Sequence, residues 1–355
     1  MKRSVAIFAL LVAPVLAQPP NLTINTGTPE GQLLQSIGQE TDDAKKVQME
    51  EDFLAKYPKH EGAPWVAEQL TASYIQQKQF DKALDAADKG YAGGAGEVDL
   101  CFDAVKAAEQ KGDAEALTKW AERTAEVTQK VKSDDKATAD HAKEVATYAE
   151  YALYAQASKS RDPKAIVGLS EALEKVNPKS QYMWLVTPRY LASLSGKGCG
   201  EATKLAAADS KNAEAMLFEA DCSWRTANAA SVIANANRAL EALNSRPKTE
   251  GGNEGGKVAT ANFFIGIGNA MQQRWGPANR SLRAALPALK GEPTYEANAL
   301  FNLGMANYSL GKTIGDKGQM REGLKYFEQA AAMKSNVQDQ ASRNVSVIKK
   351  ELGLP

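Results

Sequence analysis

From about residue 31 onward, apolar side chains return every three or four residues almost without a break, and small residues recur where two helices would cross. Such spacing lays the apolar groups along one stripe of an α-helix, whereas runs alternating β-branched and polar residues are hard to find. The chain is therefore expected to be nearly all helix. Two segments show the pattern best. In PWVAEQLTASYIQQKQFDKALDAADKGY, Pro64 to Tyr91, the residues Leu70, Tyr74, Ala83 and Ala87 stand at the packing positions of two antiparallel helices. In YEANALFNLGMANYSLG followed by MREGLKYFEQAAAM, Leu303, Gly304 and Tyr308 serve a first helix, and Gly323, Phe327 and Ala330 a second. Helix axes come close only where Gly, Ala or Ser stands at the crossing and a bulky neighbour fills the gap.

These two segments resemble the tetratricopeptide repeat family, whose unit of about 34 residues is a helical hairpin of this kind. The resemblance implies an all-α, right-handed superhelical solenoid of antiparallel helix hairpins. About eight hairpins fit, at 31–58, 64–91, 97–130, 138–177, 180–209, 212–244, 257–290 and 294–334. The unit from Asn212 has Ala220 at the small position of its first helix and Val232, Ala236 and Ala239 down its second; those from 97, 138, 180 and 257 are degenerate. Repeats are thus expected over 31–245 and 258–334, with a glycine-rich loop, SRPKTEGGNEGGK, dividing them at about 246–257. A stack of hairpins leaves an apolar end unless something covers it. Val337, Ala341, Val345, Ile348 and Leu352 form one stripe, so 335–355 is expected to be a C-terminal capping helix.

The chain opens MKRSVAIFALLVAPVLAQPP, with Lys2 and Arg3 before an apolar run of about a dozen residues and small side chains at Val15-Leu16-Ala17. This reads as a signal peptide over 1–17, too short for a bilayer span. The protein is expected to be exported, periplasmic or secreted, and not inserted in a membrane once the signal is removed. Residues 18–30 are expected to be disordered. Gln18 follows the expected cut, which excludes a lipid-anchored cysteine there.

Equal numbers of basic and acidic residues, 43 of each, leave no electrostatic footprint for nucleic acid. Ala306 to Thr313, ANYSLGKT, fits the loose pattern of a phosphate-binding loop, but NLGMANYSL before the glycine reads as helix where such a loop needs a strand. Gly311 is instead expected to end the first helix of a hairpin in a left-handed conformation. His60 and His141 stand alone, GIGNAM at 266–271 lacks the third glycine of a dinucleotide fingerprint, and the carboxylate pairs Glu50-Glu51 and Asp134-Asp135 sit on charged faces or turns. No catalytic, cofactor or metal site is expected.

The resemblance places binding on the groove lined by the first helices. Carried onto the clearer units, the groove positions are Trp65, Glu68, Ala72 and Ile75; Leu217, Asp221, Trp224 and Arg225; and Asn298, Phe301, Met305 and Tyr308. Trp, Tyr, Met and Arg commonly anchor protein interfaces. The lysine and asparagine clamp by which some family members hold a peptide carboxylate is missing, since Ile265 stands where a lysine is wanted beside Asn269. The expected function is a non-catalytic scaffold that binds another protein or an extended peptide, and DFLAKYP, Asp52 to Pro58, resembles helix ends of repeat proteins in cell-envelope assembly. The competing class is an enzyme or small-molecule binder with a pocket near Ser195 to Gly200. Of the three cysteines, Cys199 in GKGCG and Cys222 late in the next first helix fall at the same end of stacked hairpins, so they are expected to form a disulfide, leaving Cys101 a buried thiol.

Overall fold

The computed structural model describes residues 24–92, 97–132, 134–246 and 254–355. Among them are 17 α-helices and a short 3-10 turn at Leu286–Ala288, and no strand. The chain divides into two compact units, Met1–Gln156 and Ala157–Pro355.

In the first unit the hairpins pair α1 (Pro29–Gln39) with α2 (Asp43–Lys56), α3 (Ala63–Gln76) with α4 (Phe80–Ala92), and α5 (Val98–Lys111) with α6 (Ala114–Lys130), and α7 (Lys136–Lys159) follows. In the second, α8 (Pro163–Val176) precedes the pairs α9 (Gln181–Ser193) with α10 (Gly198–Ala208), α11 (Ala213–Arg225) with α12 (Ala229–Ser245), α13 (Glu254–Met271) with α14 (Trp275–Ala285), and α15 (Pro293–Ile314) with α16 (Lys317–Ala331); α17 (Gln338–Leu352) closes the chain. The all-helical hairpin architecture expected from the spacing is thus present in each unit.

Five hairpins turn in the same way. Lys78, Gly112, Ala227, Gln273 and Gly315 each adopt a positive φ, between 55° and 74°. The residue after each donates its N–H five residues back: Gln79 to Tyr74, Asp113 to Ala108, Asn228 to Ser223, Arg274 to Asn269 and Asp316 to Gly311. This satisfies a carbonyl that the helix end leaves unpaired. The same residue opens the second helix, and where it is Asp or Asn its side chain caps the next turn, as Asp113 does for Ala116, Asn228 for Ser231 and Asp316 for Gly318 and Gln319. Gly315, not Gly311, is therefore the left-handed residue that ends α15. Gly311 lies inside the helix, where a β-carbon would stand 2.7 Å from the Asp316 carbonyl oxygen.

Small residues sit where the first and second helices cross. A β-carbon on Gly304 would come within 2.8 Å of the Phe327 ring, and one on Gly323 within 2.7 Å of the Tyr308 backbone nitrogen. Cores form on the expected positions: Leu70, Tyr74, Ala83, Ala87, Ala220, Val232, Ala236 and Ala239 are all buried. First helices of successive hairpins also touch, α3 with α5, α9 with α11, α11 with α13 and α13 with α15, forming one layer within each unit.

Residues 1–17, the expected signal segment, lie outside the described residues. The expected disorder of 18–30 does not extend over its last part. Thr28 caps α1 by accepting from Gly31, and Ile24 packs against the cluster of Leu34, Ile37, Phe53 and Val66. Most of the glycine-rich loop also lies outside the described residues, but α13 already begins at Glu254. The ends of that loop meet at one side chain. Buried Glu214 accepts from Arg246 at 3.0 and 2.5 Å and pairs with Lys257 at 2.6 Å. Burial alone would raise its carboxyl, yet the two cations hold it below the usual range. Arg246 also donates to the Lys211 carbonyl and lies 4.1 Å from the centre of the Trp184 ring.

Helix α17 covers the end of the last hairpin. Val337, Ala341 and Ile348 are buried, and Val345 and Leu352 pack at the margin against Phe327, Ala330 and Phe301. The apolar face of Phe327 and Ala330 is therefore covered by the chain's own last helix.

Candidate interaction site

In the first unit, α3 presents Trp65, Glu68, Ala72 and Ile75 as half-buried residues. Trp65 packs at the edge of the Leu34 to Val66 cluster, and its indole N–H is buried without an acceptor. Glu68 is pushed up to about 8 by burial and by the carboxylates of Asp99, Glu97 and Asp103. Of these, Asp99 contacts His141 Nε2 at 2.7 Å and Asp103 pairs with Lys106 at 3.2 Å.

The second unit carries a concavity. Asp221, Trp224 and Arg225, at the C-terminal end of α11, and Glu292, Pro293, Thr294 and Tyr295, at the start of α15, line a pocket of about 370 Å³. Its geometry follows from the layer of first helices: α11 and α15 both pack against α13, whose buried Phe263 and Phe264 back the rings of Trp224 and Tyr295. Trp224 meets Phe263 edge-on at 5.5 Å between ring centres, and Tyr295 lies 5.0 Å from Phe263 and 6.5 Å from Trp224. Trp224 is thus half core and half wall. Leu217 packs against the same cluster one turn or more below it.

The charges at this mouth are unevenly buried. The Asp221 side chain is 13% exposed, whereas that of Arg225, its ion-pair partner four residues on, is 70% exposed. Burial pushes the Asp221 carboxyl up in spite of Arg225. Burial likewise raises the Tyr295 phenol, with Asp221 adding to the effect. Glu292 occupies the N-cap of α15 without bonding the free N–H groups of the first turn.

The third set of expected positions is occupied from within. Phe301 is buried and packs edge-on against Phe327 at 5.5 Å. Asn298 donates to Asn336, Met305 receives the Asn344 amide at 3.7 Å, and Tyr308 bonds Glu351. The capping segment therefore lies along the side where a groove was expected. Sequence reasoning reached Asp221, Trp224 and Arg225 but missed Glu292 and Tyr295. The signal available for them was the Glu-Pro-Thr-Tyr helix start, with proline at the first helical position and no Ser, Thr, Asp or Asn before it.

The other sequence features resolve into structure. ANYSLGKT lies wholly inside α15, and Lys312 contacts Tyr308 at 3.1 Å and Glu351 at 3.3 Å. His60 accepts from the Gly62 N–H at 3.0 Å and stacks edge-on with Phe53. Ser195 to Lys197 form an exposed turn with φ of 43° at Ser195 and 92° at Gly196. Cys199, in the first turn of α10 just after that turn, is bonded to Cys222 with Cα atoms 6.0 Å apart. Cys101 is a buried thiol, its pKa pushed up to about 12 by burial.

No family model matches the chain. No curated protein matches it either. Among solved structures, the chain matches the crystal structure of the yeast Tom70, at 10% identity over 92% of this chain and 97% of that one, with a TM-score of 0.23. The fold assignment rests on the hairpins, shared turns and crossing glycines of this chain itself. No helix among the described residues is long and apolar enough to cross a membrane.

Proposed function

We propose that this protein is a non-catalytic scaffold of tetratricopeptide-like hairpins that binds another protein or an extended peptide on its first-helix layer, and that the pocket of Trp224 and Tyr295 anchors the partner. The carrying observation is the combination of an aromatic wall and a buried carboxylate in a concavity between the end of α11 and the start of α15, both packed on α13. Large rigid rings at a desolvated centre are the usual anchors of an interface. Trp65, Glu68 and Ile75 form a second, separate contact face in the first unit. Asn298, Phe301, Met305 and Tyr308 contribute by holding the capping helix. Export to the periplasm or outside the cell, with a role in envelope assembly, is the cellular setting we favour. The N-terminal MKRSVAIFALLVAPVLA and the Cys199–Cys222 bridge both suit an oxidising compartment.

The test is a photo-crosslinking amino acid placed at exposed Thr294 in the pocket and, as control, at exposed Asn237 on α12. The reading expects one dominant crosslinked partner from Thr294, lost in Trp224→Ala, and none from Asn237. Identical crosslinking from both positions, or none from Thr294, would refute it.

A further inference from the structure

The pocket's charge balance names the chemistry of what enters it. The pocket lining carries two carboxylates, Asp221 and Glu292, and one cation, Arg225, beside the rings of Trp224 and Tyr295. The carboxylate inside is the poorly compensated group. Asp221 has lost most of its water, and its partner is an arginine on the next turn of the same helix whose side chain stays largely in solvent. A pair whose cation stays largely in solvent contributes little, about 0–1 kcal/mol, and burial still holds the Asp221 carboxyl above its ordinary range. An anion in the pocket would meet Asp221 directly and draw Arg225 away from it, leaving a buried charge alone. A cation does the reverse: it adds countercharge where water is excluded, and it lies against two aromatic faces that attract it.

We infer that the pocket receives a lysine or arginine side chain of the partner, held against Trp224 and Tyr295 with its charge toward Asp221 and Glu292. Arg225 then acts as a resident stand-in. Its guanidinium covers Asp221 in the free protein and swings into solvent when the partner's cation arrives. This inference rests on the scaffold reading and specifies the side chain that the scaffold selects.

The experiment titrates the full chain with five acetylated, amidated pentapeptides that are identical except for a central lysine, arginine, citrulline, norleucine or glutamate, followed by fluorescence anisotropy of a label on the peptide. The lysine and arginine peptides are expected to bind at least about tenfold more tightly than the citrulline and norleucine peptides, the gap a desolvated cation over aromatic rings supplies. Asp221→Asn, close to isosteric, should erase that gap while leaving the thermal midpoint within a few degrees, and Glu292→Gln should narrow it. Arg225→Ala should strengthen lysine-peptide binding severalfold because the internal competitor is gone. Equal affinity for arginine and citrulline, preference for glutamate, weaker lysine binding in Arg225→Ala, or charge-blind binding of all five peptides would each overturn the inference. Failure here is separable from failure of the scaffold reading. A partner crosslinked at Thr294 through a segment without lysine or arginine leaves the scaffold and removes the cation, whereas absence of any crosslink removes the scaffold.

Discussion

Glu50 offers a direct measure of what the first unit's packing costs. It lies on α2 facing α3 and is fully buried, with one carboxylate oxygen accepting from Ser73 at 3.4 Å and the other without a partner. Burial raises its pKa from 4.5 to about 7, against smaller opposing effects of Lys46 and the Ser73 hydroxyl. Below pH 4.5 both the folded and unfolded chains carry the protonated acid, and the group contributes no pH dependence. Between there and about pH 7 the unfolded chain releases its proton while the folded chain keeps it, so the folded protein binds more protons and stability falls as pH rises. The loss reaches a ceiling of about 3 kcal/mol, from a shift of about 2.5 units at 1.36 kcal/mol each. Glu50→Gln removes the titration and keeps an acceptor for Ser73. The variant should therefore gain about 2–3 kcal/mol over the parent at pH 8 and little or nothing at pH 4.5, after allowing about 1 kcal/mol for an imperfectly bonded amide. Hydrogen exchange of the α2 and α3 amides, with the two proteins compared at the same pH, reads this difference in the unit concerned. A gain that is the same at both pH values, or a loss at pH 8, would show that the carboxylate is solvated or paired and would refute the reasoning.

Much of the architecture was legible because it is written in short-range spacing. The hairpin expected at 64–91 is α3 and α4, Ala63 to Ala92, and the one expected at 212–244 is α11 and α12, Ala213 to Ser245. The disulfide followed from placing two cysteines at the same end of adjacent hairpins, which needs only helix boundaries and not atomic detail. What could not be read is where the sequence omits its usual mark. Three of the five shared turns put Lys78, Ala227 or Gln273 in the left-handed conformation where glycine is the ordinary signal, and the first two of these hairpins were legible from their helix faces alone. The degenerate unit from 257 is one of these, so nothing in its turn fixed the register. The pocket was half visible for a related reason. A helix-face argument finds Asp221 and Trp224 on α11, but Tyr295 enters from the first turn of a helix two hairpins on. The same argument could not say that Phe301, Met305 and Tyr308 were already claimed. The apolar stripe of 337–352 buries against α16 and Phe301, and that placement brings Asn344 and Glu351 of the same helix onto Met305 and Tyr308 of α15. Glu214 was invisible to pattern, because its partners Arg246 and Lys257 lie on either side of a loop and no local spacing joins them.

The remaining predictions concern the second unit. Arg246→Met leaves Glu214 with Lys257 alone and should cost about 3–5 kcal/mol, the usual penalty for stranding a buried charge; urea denaturation showing less than about 1 kcal/mol would mean the site is wetter than the structure shows. Opening the Cys199–Cys222 bridge with Cys222→Ser should cost about 3 kcal/mol by the chain-entropy relation for a separation of 23 residues, and peptide mapping without reductant should find the two cysteines linked in the parent. Ala227→Gly relieves a left-handed alanine at φ 57° and should stabilise by about 0.5–1 kcal/mol; a loss in thermal midpoint would show the turn is not left-handed. Deleting residues 337–355 strips Val337, Ala341 and Ile348 from the face of Phe327 and Ala330. Burying a side chain such as Val or Ile is worth about 1.5–3 kcal/mol, so the truncated chain should lose several kcal/mol. Because the uncovered face is continuous and apolar, it should also self-associate, visible as a concentration-dependent rise in sedimentation coefficient. A truncated protein that unfolds like the parent and stays monomeric would mean that α17 rests on the last hairpin without sealing it.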